Sequence, residues 1–270
     1  LSSAKIMLGW CGLLLLLIAG AACSSKKRGA LAPLEAAAWR IELPVPGFGP
    51  ASVALPLGAV TPRPIAVVLH GAVDRPEWQC GSFRGVLGGK LFILCPRGIA
   101  AAEPGRFGLG SVDDSAAELR AALAALKARF GAHVAASPIL LIGYAEGARV
   151  AAELARQEPA FFARVALVNG EPSAFTPSAS SIFALRGGKR VLFFCTTSSC
   201  DDSAVSRALL LARANVPAKS VRHDVGPYLD APFAEALARE LPWLLEGDAR
   251  FGVRAAPPTT VPRPDPSAAR

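Results

Sequence analysis

Five short apolar runs punctuate the middle of the chain, at 65–69, 91–94, 139–142, 165–168 and 191–194. They close at His70-Gly71, Cys95-Pro96, Gly143, Asn169-Gly170 and Cys195. Runs that are apolar at every position, rather than alternating, suit strands buried on both faces, as in a parallel sheet. The stretches between them change period. Residues 115–130 follow Asp113-Asp114, good first-turn residues, and place Leu119, Leu123, Leu126 and Phe130 on one side of a helix. Residues 148–157, 203–214 and 233–245 read the same way, with Asp202 or Ser203 as candidate cap of the second of these three. A last strand is expected at 220–224. Segments 39–43 and 52–57 are expected as antiparallel edge strands, where Pro44, Pro46 and Pro56 can be tolerated. Strands alternating with helices predict an α/β fold, a doubly wound, mostly parallel sheet flanked by helices. The span 39–248 is long enough for one large core.

The two ends differ from this body. Lys5, the apolar run Leu13 to Ile18 and the small residues Ala19-Gly20-Ala21-Ala22 form the three regions of a secretory signal over 1–22. Cys23 comes directly after, which resembles the lipobox of bacterial lipoproteins. That resemblance implies acylation of Cys23 and a lipid-anchored, extracytoplasmic place in a bacterial envelope. The alternative is an ordinary cleaved signal followed by a chance cysteine. Residues 23–38 then form a tether whose Lys26, Lys27 and Arg28 would favour an anionic leaflet. Residues 249–270, rich in proline and arginine and without periodicity, are expected to be disordered.

Charge changes the picture once it is placed. The chain carries a net +8 and a sequence pI near 9.5, but most of the excess sits in the two arms. The body between them is left with about +1, which gives no basic face for nucleic acid. Beyond Cys11 and Cys23 the chain has Cys80, Cys95, Cys195 and Cys200, an even number in an exported protein. Pairing Cys80 with Cys95 and Cys195 with Cys200 closes a short loop near a strand end in each case. Free buried thiols are the alternative. No C-x-x-C pair or neighbouring histidine points to zinc, and no metal or other cofactor is expected.

The segment Gly143-Tyr144-Ala145-Glu146-Gly147 joins a buried strand to an amphipathic helix. It resembles the nucleophile elbow of the α/β-hydrolase fold, G-x-S-x-G, with alanine in place of serine. The resemblance covers about 64–246. It implies that Ala145 stands at the apex and that the Glu146 N–H is one oxyanion donor. His70-Gly71 resembles the family's HG motif, which implies a second donor from the N–H of Ala72 or Val73. The family's chain order puts an acid after the strand ending at Cys195, where Asp201 and Asp202 stand. It puts a histidine in the loop after the last strand, where the sequence reads Val225-Gly226-Pro227-Tyr228-Leu229. Leu229 takes that place. The resemblance also implies a lid between Glu171 and Gly188, a stretch so short that any lid is minimal.

Alanine has no hydroxyl to activate and leucine takes no proton, so two of three triad positions lack their chemistry. Three functions stay open. One is a non-catalytic hydrolase-fold protein that binds a small carbonyl- or carboxylate-bearing ligand, or an envelope protein. The second is an active esterase with a rearranged set using His223. The third is a structural envelope lipoprotein. Other candidates have plainer readings: His133 as a surface residue, Ser111 as part of a Gly-rich turn, and Asp113 and Asp114 as helix-start residues.

Overall fold

A computed structural model describes residues 30–135 and 137–251. Cys23, the signal, the basic part of the tether and the tail beyond 251 lie outside the described residues. Among the described residues ten strands and six α-helices follow one another. Eight strands form one sheet: β1 Arg40–Leu43, β2 Ala51–Ala54, β3 Ile65–Leu69, β4 Phe92–Cys95, β7 Leu140–Tyr144, β8 Arg164–Val168, β9 Arg190–Cys195 and β10 Ala218–Arg222. Their order is β1-β2-β4-β3-β7-β8-β9-β10. The pairs β1–β2 and β2–β4 are antiparallel and every other pair is parallel. Two residues each from β5, Ile99–Ala100, and β6, Phe107–Gly108, make a separate small ribbon.

Period-2 alternation divides the core into two layers. Along β3, Ile65, Val67 and Leu69 face one layer, and Ala66 and Val68 face the other. The first layer is closed by α2 (Val112–Phe130), α3 (Glu146–Gln157), α4 (Pro177–Leu185) and α5 (Ser198–Arg213). The second is closed by α1 (Pro76–Leu87) and α6 (Ala231–Leu245), through Phe83, Phe233, Leu237 and Leu244. Burial from both sides explains why these strands read as unbroken apolar runs. The predicted doubly wound sheet is the observed one.

Several boundaries move. The packed body begins before Trp39: Leu34 is buried, and the N–H groups of Leu31 and Leu34 donate to the carbonyls of Val60 and Ala59. His133 is no idle surface residue, because its Nε2 lies 2.8 Å from the Ala32 carbonyl and holds this segment down. At the other end Arg250 donates to the Pro138 carbonyl, so residues 249–251 pack rather than trail. Helices α1 and α4 were not predicted. Helix α5 starts at Ser198, capped by Thr197 and not by Asp202 or Ser203. Ser111 is the cap of α2, accepting from the Asp114 N–H. The structure holds the disulfides Cys80–Cys95 and Cys195–Cys200, the pairing the loop lengths favour. The first ties α1 to β4 and the second ties the end of β9 to the first turn of α5.

Candidate functional site

Strand β7 turns into α3 through a single residue. Ala145 takes φ 50 and ψ −116, a conformation that costs a residue with a Cβ of order 1–3 kcal/mol. Two close approaches force the turn. A Cβ on Gly143 would run into the backbone of Gly147 and Ala148, and one on Gly147 would run into the carbonyls of Leu69 and His70 at the end of β3. The small residues therefore let the elbow and β3 touch backbone to backbone. Ala145 donates its N–H to the Val168 carbonyl, and its own carbonyl accepts from Ala148. Glu146, as first residue of α3, has an N–H with no partner inside the helix.

The β3–α1 loop crosses close above the apex: a Cβ on Gly71 would stand 3.4 Å from the Ala145 Cβ. This loop carries Ala72 and Val73, both exposed, and Val73 has φ 52. A β-branched residue at positive φ is an outlier that its surroundings must enforce. They do. His70 is fully buried, with Nδ1 2.7 Å from the Gly71 carbonyl and Nε2 3.0 Å from the Arg97 carbonyl. The buried carboxylate of Glu118, on α2, accepts from the N–H groups of Arg97 and Gly98 at 2.9 and 3.0 Å. Arg97 is fixed in turn by Pro50, Glu42 and the Phe107 ring. Beyond the apex, Asp74 exchanges backbone hydrogen bonds with Phe107. Sequence reasoning missed Glu118, which looks like any charged helix residue until its partners are known.

Tyr144, one residue before the apex, donates its hydroxyl to the Pro227 carbonyl and so joins the elbow to the β10–α6 loop. Burial, then the charges of Asp74 and Tyr228, push its phenol above the ordinary value, which keeps the O–H as a donor. Leu229 sits on the same loop and is half-buried against the α1–α6 layer. Tyr144, Leu229, Asp74, Trp78 and Arg106 line a cavity of about 580 Å³, within the range of about 300–1,000 Å³ that suits a small molecule. A second cavity of about 390 Å³ lies near the ends of β8 and β9, lined by Asn169, Gly170, Glu171, Thr197 and Cys200. Gly170 reaches the elbow from that side, since a Cβ there would meet the Ala145 carbonyl.

The expected acid and the alternative histidine are engaged elsewhere. Asp201 and Asp202 lie in α5 and not in a loop, because the helix begins three residues before Asp201. Asp201 Oδ1 accepts from the Ser220 hydroxyl at 2.8 Å. His223 stacks on Phe194 with centroids 5.1 Å apart, and its Nε2 lies 3.0 Å from Glu240 Oε1 on α6. The other Glu240 oxygen accepts from Lys219 Nζ at 2.7 Å. Burial alone would raise the Glu240 carboxyl, but hydrogen bonds from Lys219 and His223 outweigh it and hold the group below its ordinary value.

That depression has a sign. A carboxylate with a lowered native pKa stabilises the fold above its unfolded value of about 4.3. The contribution disappears as pH falls through the lower native value. Melting temperature followed from pH 6 to pH 3 should therefore fall less steeply in Glu240→Gln than in the wild type. Equal slopes would show that Glu240 does not hold His223 and Lys219 as described.

Among the described residues no group of three or more His, Cys, Asp or Glu stands where it could hold a metal ion. No protein-family model and no curated sequence relative matches the chain. Solved structures do. A candidate dienelactone hydrolase from Klebsiella pneumoniae superposes with a TM-score of 0.56 at 19% identity, over 80% of this chain and 98% of that one. A carboxylesterase from Mesorhizobium loti gives 0.52 at 17% identity, over 74% and 99%. Est1E from Butyrivibrio proteoclasticus, in a complex with ferulic acid, gives 0.55 at 12% identity, over 76% and 99%. Likeness at this level of identity concerns architecture, and the architecture is plain: the chain has the α/β-hydrolase fold.

Proposed function

We propose that this protein is a non-catalytic member of its fold class, a binding protein that holds a carbonyl-bearing ligand beside the elbow without cleaving it. The observation that carries the reading is Ala145 at a strained apex with no hydroxyl. Covalent acyl transfer begins with an activated nucleophile, and a methyl group cannot supply one. The neighbours agree in kind. Leu229, which the resemblance puts at the histidine's place, is half-buried and takes no proton, His223 faces Glu240, and Asp201 faces Ser220.

What remains at the apex suits holding. Glu146 offers a helix-terminal N–H, the exposed Ala72–Val73 turn lies just across Gly71, and the cavity beside Tyr144 has room for a small molecule. Donors aimed at a carbonyl oxygen bind it whether or not a nucleophile stands beneath. Purified protein incubated with p-nitrophenyl acetate is expected to show no saturable turnover. Saturable turnover in a preparation freed of other hydrolases would overturn the reading.

A further inference from the structure

We propose that the outer face of α5 is a two-fold interface at which this chain pairs with a second copy of itself. The inference concerns a helix face and not the elbow, and it stands whether or not the site above binds a ligand.

Burial sets the frame. Helix α5 turns Ala204 and Leu211 into the core. Two steps of about 100° put Leu209 nearly opposite Leu211, and Leu209 is 56% exposed. Asp202, Val205 and Arg213 share that outer side, at spacings of three and four residues from one to the next, and all are exposed. Helix α4 packs beside α5 and adds Ile182 and Leu185, the latter 87% exposed. One exposed apolar side chain is ordinary, but Ile182, Leu185, Val205 and Leu209 stand on two neighbouring helices, and a contiguous patch marks a contact surface.

Charge chooses the occupant. Asp202 lies at one end of the α5 stripe and Arg213 at the other, with Val205 and Leu209 between them. Among the described residues neither charged side chain takes part in an ion pair. A stripe that is negative at one end, apolar in the middle and positive at the other is complementary to its own reversed copy. A two-fold axis perpendicular to α5 runs the helix antiparallel to that copy. Asp202 of each chain then meets Arg213 of the other, and Val205 meets Leu209.

The spacing lets both pairings form together. The midpoint between Val205 and Leu209 falls at Arg207, and the midpoint between Asp202 and Arg213 falls half a residue further on, about 0.75 Å along the axis. Long side chains absorb a mismatch of that size. An anionic lipid surface would be repelled at Asp202, and a partner of a single charge would match only one end of the stripe. A second copy matches both.

The test is sedimentation velocity of the purified full-length protein from micromolar to submillimolar concentration. A monomer–dimer equilibrium is expected. Leu209→Glu, a change at an exposed position, is expected to leave only monomer. Asp202→Arg sets like charges together at both ends of the interface and is expected to weaken the dimer at least tenfold. Asp202→Arg combined with Arg213→Asp exchanges the two charges and is expected to restore the wild-type dissociation constant to within about threefold, because the two sites act as one pair. That recovery decides the matter should Leu209→Glu lower the melting temperature. A wild-type protein that stays monomeric, a dimer indifferent to Leu209→Glu, or a double variant as weak as Asp202→Arg alone would each overturn the proposal. Monomeric protein that cosediments with phosphatidylglycerol vesicles, and ceases to in Leu209→Glu, would overturn it in favour of a lipid surface.

Discussion

Gly147→Ala is expected to cost more than about 3 kcal/mol, above the usual 1–3 for overpacking, because what the new methyl meets is backbone. It would run into the Leu69 and His70 carbonyls, and neither can turn aside as a side chain would. Relief requires α3 to lift away from β3. That movement would carry the Glu146 N–H off the apex and break the Ala145–Val168 hydrogen bond. Domains have only about 5–15 kcal/mol to lose, so the variant should show a large drop in denaturant midpoint or fail to accumulate. A change under about 1 kcal/mol would mean that the elbow is looser than the crossing of β3 and α3 indicates.

Loss of the Cys80–Cys95 bridge is expected to have the next largest effect. Its residues are 15 apart, and closing a loop of that length stabilises by about 3 kcal/mol in the chain-entropy account. The Cys195–Cys200 bridge closes only 5 residues, and the same relation gives about 2 kcal/mol. Paired replacement by alanine at each bridge, followed by denaturant unfolding, should therefore rank the first above the second. The ranking matters for the site, since Cys80–Cys95 holds α1, the helix that carries Trp78 and Gln79. The opposite order would place the stabilisation in the packing of α5 and not in loop closure.

Much of the fold was legible because burial on both faces leaves a continuous apolar signature, and five strands announced themselves that way. The two helices that escaped did so for local reasons. Helix α1 carries Gly81 and Gly85, which weaken a helical reading. Yet Pro76 in its first turn and the spacing of Cys80, Phe83 and Val86 were signals that could have found it. Helix α4 is short, but Thr176-Pro177 is a cap followed by proline. The elbow was legible because its glycines answer a steric demand that recurs wherever a strand turns sharply into a helix. The cavity was not. Asp74 with Gln79, Arg106 and Tyr228 come from three separate stretches of chain, and only tertiary packing brings them around one space. The same holds for His223 and Asp201, whose partners Glu240 and Ser220 lie 17 and 19 residues away.

The claim that Ala145 leaves this site without a nucleophile is tested most directly by intact-mass spectrometry of the folded wild-type protein after incubation with a fluorophosphonate. Such probes bond covalently to activated serines wherever they stand in the chain. The account predicts an unchanged mass. A stoichiometric adduct would contradict it, and the modified residue would identify the nucleophile that replaces Ala145.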